Sequence, residues 1–460
     1  MRRFFAAARM AGLVLLLLSA VAASAGEKLT LAQAVDLALE HNRSLEAARD
    51  DYEAARWGAR SAWASLFPSV SLRSSARRVD PDTYERANAS IEFLPEEFEI
   101  EPFLYETTYE TSFSASMPVF NGGRLWGAVG LAGAAESAAL HGLDAARLDV
   151  AVAAKSAFLD VLRTEALLAV SHDAVRAAED RVATARRKEE IGVMGAADRL
   201  LWEVQLAEDR RALIDAENAV VLARTSLAAT LGLPLDAEFD LVDVSRLELE
   251  ARCHPYRELL DGGPATELEA RSLLSGNPGY LALRDAADIE RHAVTIARGA
   301  FLPAINAQAT YGWKADGDID PDDEVAWSIT AFLEVPVFTS FKNLSDYQQA
   351  RRNQLAAMSR LDDGERMMVL ALRRSVATLR SRLEGLEAAD VLVAQSRQHF
   401  DSMDTMYEQG VVQSTDLAEA RVLYDRGRMG YINSLYDCFV SLAELESLVG
   451  DGPAGRISQD

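Results

Sequence analysis

Four short stretches of this chain alternate between apolar and polar residues, and two very long ones repeat their apolar residues every three or four positions. In the segment from Tyr109 to Met117, Tyr109, Thr111, Phe113, Ala115 and Met117 share one side. Glu110, Ser112, Ser114 and Ser116 share the other. Ile305, Ala307, Ala309, Tyr311 and Trp313 alternate with Asn306, Gln308, Thr310 and Gly312. Trp327, Ile329, Ala331, Leu333 and Val335 alternate with Ala326, Ser328, Thr330, Phe332 and Glu334. A weaker stretch sets Val70, Leu72 and Ala76 against Ser71, Arg73 and Arg77. A period of two predicts strands with one dry and one wet face. Two environments produce that pattern: a half-buried sheet in a soluble domain, or a membrane barrel with an apolar outside and a polar lumen. Three features favour the barrel. The strands run to about 9–11 residues, enough to cross a bilayer when tilted. Tyr109, Phe120, Tyr311, Trp313, Trp327 and Phe338 lie near strand ends, as an interfacial girdle requires. The connections, VDPDTYERANAS and KADGDIDPDDE, are polar and acidic.

The long stretches are Arg124 to Glu190 and Lys342 to Glu408, both free of proline and both 67 residues. As helices they extend roughly 100 Å at about 1.5 Å per residue. Return helices are predicted from Ala197 to Leu231 and from Thr415 to Val449. A first helix is predicted from Thr30, with Gln33 closing a capping box, to about Leu66 before Pro68. Its counterpart runs from about Glu267 to Phe301, broken at Asn277-Pro278-Gly279.

These elements occur twice. EIGVMGAADRLLW and EQGVVQSTDLAEA set Gly192 and Gly410, and likewise Asp198 and Asp416, 218 positions apart. Pro118-Val119-Phe120 and Pro336-Val337-Phe338 keep that offset, as do Leu231-Gly232 and Val449-Gly450. Upstream the offset is 235, matching Asn42 to Asn277 and Phe67-Pro68 to Leu302-Pro303. The first copy therefore carries 17 extra residues between Pro68 and Pro118, where a loop is expected. The organisation predicted is a signal peptide over 1–25 and a first repeat over 26–232, with its hairpin over 68–120. A linking segment follows over 233–266, read with the tail 451–460 as a belt around the helices. The second repeat occupies 267–450, with its hairpin over 303–338.

Four strands cannot close a barrel, and an open edge in lipid leaves backbone groups unpaired at several kcal/mol each. The chain must share its barrel with copies of itself. Two chains give eight strands and a filled interior. Three give twelve and a lumen, and the long helices favour three. The fold class is mainly α with a β-barrel part, continued by a long periplasmic α-helical barrel.

Composition narrows the function. Arg2, Arg3, Arg9, the leucine run and Ala23-Ser24-Ala25 before Gly26 read as a secretory signal; no cysteine follows for lipid attachment. No second apolar run of about 20 residues is present. A net charge of −24 argues against nucleic acid and anionic lipid surfaces as partners. Cys253 and Cys438 either pair in an oxidising compartment or stay as inert thiols. No HExxH, GxSxG or P-loop pattern occurs, and the six histidines lack metal-ligand spacing. The reading is a non-enzymatic conduit without cofactor or metal. The alternative is a structural or adhesive outer-membrane protein on a coiled-coil stalk.

Taken together, LTLAQAVDLALEHN, Phe67-Pro68 with Leu302-Pro303, the two Pro-Val-Phe strand exits and the two Gly-Val-x-x-x-x-Asp turns resemble the TolC family of outer-membrane efflux and secretion proteins. The resemblance covers nearly the whole chain beyond the signal. It implies a homotrimer with a shared 12-stranded barrel in the outer membrane. It implies passive export, driven by an inner-membrane pump joined through a periplasmic adaptor. Position by position, Asp198, Tyr407, Asp416 and Glu419 match residues that narrow the periplasmic aperture. Gly192, Val193, Gly410 and Val411 match the tips that adaptors grip. A threefold ring of such carboxylates would favour cations. Two positions depart: Val412 stands for a frequent arginine and Ala197 for a hydroxyl residue, so the family's charge-linked latch is not carried over. Asp416 or Thr415 would also cap its helix with Glu419, and Asp198 would cap without a partner.

Overall fold

The computed structural model describes residues 28–89, 104–262, 266–316 and 325–449. The predicted signal peptide, the tail from 451 and most of the second acidic connection lie outside them. The described residues form two compact units. One takes in residues up to 50, 142–281 and 364 onward; the other takes in 51–141 and 282–363.

The second of these carries the strands: β1 (Ser69–Arg78), β2 (Thr107–Asn121), β3 (Ala304–Asp316) and β4 (Val325–Glu334). They form one antiparallel sheet in the order β1-β2-β3-β4. Register aligns the alternation seen in the sequence. Val70, Ala115, Ala309 and Ile329 make one continuous row, and Leu72, Phe113, Tyr311 and Trp327 another. The next row on the other face is Ser71, Ser114, Thr310 and Ser328. Ser69 and Ser71 reach Ser116 and Ser114 through hydroxyl pairs at 2.8 and 3.1 Å. A slip of one residue would exchange the faces, so this pattern pins the pairing. Val70, Trp327 and Ile329 are each more than 70% exposed, so the described residues leave much of these apolar rows uncovered.

Two details differ from the sequence reading. The first connection contains a helix, Pro81–Asn88, capped by Asp80, whose carboxylate accepts from the Thr83 amide at 3.1 Å. Proline in the first turn suits a helix start, because its missing N–H is not needed there. β4 stops at Glu334, before Val335 and Pro336, whereas β2 runs through Pro118 by shifting register before Phe120.

In chain order the helices are α1 (Leu31–His41), α2 (Arg43–Ala64), α3 (Pro81–Asn88), α4 (Arg124–Glu190), α5 (Ala196–Thr230), α6 (Arg246–Cys253) and α7 (Arg257–Gly262). Then come α8 (Glu267–Leu274), α9 (Pro278–Gly299), α10 (Lys342–Glu408) and α11 (Ser414–Val449). The predicted first helix is interrupted at Asn42. Its Oδ1 accepts from the Ser44 amide at 2.9 Å while its Nδ2 donates to the Thr230 carbonyl at 2.9 Å. Asn277 does the same work for the other half: it accepts from Gly279 N at 2.9 Å and donates to Leu448 O at 3.0 Å. Each asparagine starts a new helix and satisfies a carbonyl left over at the end of a return helix.

The linking segment forms α6, a short 3-10 turn and α7. Arg252 of α6 and Lys155 of α4 converge on Glu446 of α11 at 2.9 and 2.6 Å. Phe158 and Leu159 of α4, Leu227 of α5, Leu249 of α6, and Phe439 and Leu442 of α11 are all fully buried. Cys253 and Cys438 are buried free thiols; burial pushes them up to about 11 and about 12. Among the described residues no helix is long and apolar enough to cross a membrane.

Candidate functional site at the helix reversals

Both long helices end in the same way. Gly192 takes φ +77° and Gly410 φ +73°, a conformation closed to most side chains, and neither is crowded. The glycine amide donates to the carbonyl three residues back, Glu189 at 2.9 Å or Tyr407 at 3.0 Å. The following valine amide donates to the carbonyl five back, Lys188 or Met406, each at 2.9 Å. This is the paired bonding that satisfies helix C-terminal carbonyls around a left-handed residue. It leaves Val193 and Val411 exposed at 73% and 70%, with Ile191 beside them.

Four helices meet behind these turns. Val182 and Ala185 of α4, Trp202 of α5, Tyr407 of α10 and Leu417 of α11 form one buried cluster. Trp202 is fully buried and meets the Tyr407 ring edge-on, centroids 6.4 Å apart. Lys188 Nζ lies 4.9 Å from the centroid of that ring. Burial pushes the Tyr407 phenol up. Val412 packs against the same cluster, so the departure from arginine extends the apolar packing.

The acids divide. The return helices begin at Ala196 and Ser414, which puts Asp198 and Asp416 at the third helical position and not at the cap. Asp416 Oδ2 accepts from the Gln413 amide at 3.1 Å. That is the returning half of a capping box, supplied by Asp416 itself and not by Glu419 as the sequence suggested. The cap of α5 is Gly195, which has no side chain to offer. Asp198 is instead half-buried, and its Oδ1 accepts from the Ser414 hydroxyl on the other return helix. Ser414 is buried. It is a site residue the sequence reading missed: its only signal was a small hydroxyl residue where the first turn has Ala196. Asp416 and Glu419 are exposed. The structure thus brings Asp198 and Ser414 together and packs Tyr407 near them. It leaves Asp416 and Glu419 facing solvent.

Around the first reversal Arg199 bridges Glu189 at 2.6 Å and Glu203 at 2.7 Å, and Arg186 reaches Glu203 at 2.9 Å. Hydrogen bonds from Arg186 and Arg199 hold the Glu203 carboxyl below its ordinary range. Arg181 pairs with Asp404, joining α4 to α10. Among the described residues no group of His, Cys, Asp and Glu is arranged to hold a metal.

The fold has known counterparts. VceC, an outer membrane protein of Vibrio cholerae, superposes with a TM-score of 0.76 at 18% identity, covering 92% of this chain and 96% of that one. The CmeC outer membrane channel of Campylobacter jejuni gives 0.77 at 16% identity, covering 93% and 88%. In sequence, outer membrane protein TolC of Vibrio cholerae serotype O1 is 22% identical over 180 residues. That match spans 38% of this chain and 41% of the relative, less than half its length. The family model described as outer membrane efflux protein matches residues 34–233 and 270–451. Those residues make up most of the chain, so it belongs to the outer membrane efflux protein family and is a transport protein of the outer membrane.

Proposed function

We propose that the chain is the exit duct of a tripartite efflux or type I secretion system. Three copies share a 12-stranded barrel in the outer membrane, and the helices continue the duct into the periplasm. Small molecules or proteins enter at the helix reversals and leave passively to the exterior. A periplasmic adaptor grips Gly192, Val193, Gly410 and Val411, and an inner-membrane pump supplies the energy. Asp198, Tyr407, Asp416 and Glu419 belong to the aperture, with the exposed Asp416 and Glu419 favouring cations.

The observation that carries this reading is the sheet. Its apolar rows are exposed on one face, its hydroxyl rows lie on the other, and among the described residues β1 and β4 each pair on one side only. Such edges cannot face lipid unpaired, and neighbouring copies would pair them. The doubled asparagine clamps and glycine turns support two copies of one unit per chain. Crosslinking of native membranes followed by fractionation tests the reading. It expects a trimer in the outer membrane; a soluble monomer would sink it.

A further inference from the structure

The hydroxyl face of the sheet changes character along its length. Register puts Ser69, Ser71, Arg73, Ser75 and Arg77 of β1 on that face. Arg73 stands in a row with Ser112, Gly312 and Ala326. Arg77 stands in a row with Thr108 and Asp316. Both arginines are exposed, and among the described residues neither has an ion pair or a hydrogen bond. Arg78, one residue on and on the opposite face, is by contrast held by Glu106 at 2.7 Å.

Between the two arginine rows Ser75 lies opposite Glu110, and Glu110 lies opposite Lys314, whose Nζ sits 5.8 Å from the centroid of the Tyr105 ring. One carboxylate therefore stands among three cations and offsets one of them. The rows nearer the helices carry hydroxyls and amides only: Ser71, Ser114, Thr310 and Ser328, then Ser69, Ser116, Gln308 and Thr330. The arginines occupy the far end of the strands, because β2 runs from their level to Asn121 and on into α4. Backbone approach keeps the space beside Arg73 clear. A Cβ at Gly312 would meet both Ser112 Cβ and Thr111 O at 2.8 Å, so that position of the row has no side chain.

A guanidinium without a partner keeps its whole fork of donors, a shape that matches carboxylate, phosphate and sulfate oxygens two at a time. In a barrel shared between copies, β1 would adjoin β4 of the next chain. The β4 residues on this face level with the arginine end, Ala326, Ser328 and Thr330, are uncharged, so closure would leave the arginines free. We propose that Arg73 and Arg77 of the three copies form an anion-binding belt in the outer part of the barrel lumen, one that takes solutes bearing phosphate, sulfate or carboxylate groups. Its sign is opposite to that of Asp416 and Glu419 at the mouth. The proposal rests on the conduit reading above.

Single-channel recording of the purified full-length trimer tests it, with tripolyphosphate as the probe and at low salt, where screening is weakest. The wild type should show concentration-dependent block that weakens as salt rises. Loss of charge-assisted hydrogen bonds predicts about a tenfold higher blocking concentration for Arg73→Ser/Arg77→Ser. Glu110→Gln, which removes the carboxylate between the arginines, should lower the blocking concentration. Arg78→Ser, on the opposite face, should leave it unchanged. Because both arginines are exposed and unpaired, the double variant should assemble and conduct as the wild type does. A conducting wild type that tripolyphosphate does not block, or a double variant blocked as the wild type is, would overturn the belt. So would a double variant that fails to assemble, which would make these arginines structural. A wild-type trimer with no conductance would remove the conduit reading itself.

Discussion

The two helix reversals carry the same glycine, valine and acid in the same register, yet their acids do different things. At the second, Asp416 turns back to the Gln413 amide of its own helix and stays exposed. At the first, Asp198 in the same slot accepts from Ser414 across the gap between helices. The cause lies two positions before each acid. Ser414 begins α11 with a hydroxyl and Ala196 begins α5 without one, so only the second turn has a donor to give. A shared motif fixes the backbone turn; the neighbours decide what the side chain joins. Size divides in the same way. Trp202 fills the cluster from α5, and the matching position on α11 is the buried Ala420.

This contrast can be broken in order of expected effect. Trp202→Ala removes the largest buried side chain of the cluster and should cost about 3–5 kcal/mol, read as a lower unfolding midpoint of the detergent-solubilised protein. Ser414→Ala should cost about 1–3 kcal/mol, because it leaves the half-buried Asp198 carboxylate without its donor. Asp416→Ala should cost less, about 0.5–1 kcal/mol, since only an exposed return bond to the Gln413 amide is lost to water. If Asp416→Ala costs as much as Ser414→Ala, the division of roles is wrong.

The strand-to-helix junctions offer a second contrast. Gly122 and Gly123 take φ +68° and +80° before α4, while Ser340 and Phe341 take φ +51° and +63° before α10. The same left-handed turn is free for glycine and strained for the other pair. Ser340→Gly should raise stability by about 1 kcal/mol in the same assay, while Gly122→Ser should lower it, because a Cβ there would meet Gly299 O at 2.3 Å.

Alkaline pH gives a smaller, graded effect. Burial raises Cys253, Cys438, Tyr256, Tyr407 and Tyr436 above their ordinary values. The folded state holds these protons where the unfolded chain would release them. Stability is therefore full below about pH 9, the ordinary thiol value, and declines as pH rises above it. The midpoint should fall first through the thiols and then through the phenols. Iodoacetamide should leave both cysteines unmodified in the folded protein at neutral pH.

The strands and the two 67-residue helices were legible because each rests on a period: two for a sheet with unlike faces, three to four for a helix without proline. What was not legible depended on partners distant in sequence. Asn42 broke a helix that periodicity carried through, because its amide is taken by Thr230. α3 hid in a polar connection, since eight residues of which none is buried leave no apolar period to read. Asp198 and Asp416 looked like caps because motif spacing cannot locate the first helical residue to within one or two positions. Ser414 carried no motif at all; what it does follows from a helix 216 residues away.

The central claim is that this chain builds a water-filled duct whose mouth is ringed by Asp416 and Glu419. The direct measurement is the reversal potential of the purified protein in a planar bilayer under a salt gradient. The account predicts cation-selective conductance in the wild type, and weaker selectivity or larger conductance in Asp416→Asn/Glu419→Gln. A bilayer that stays silent, or a double variant with the wild-type reversal potential and conductance, would contradict it.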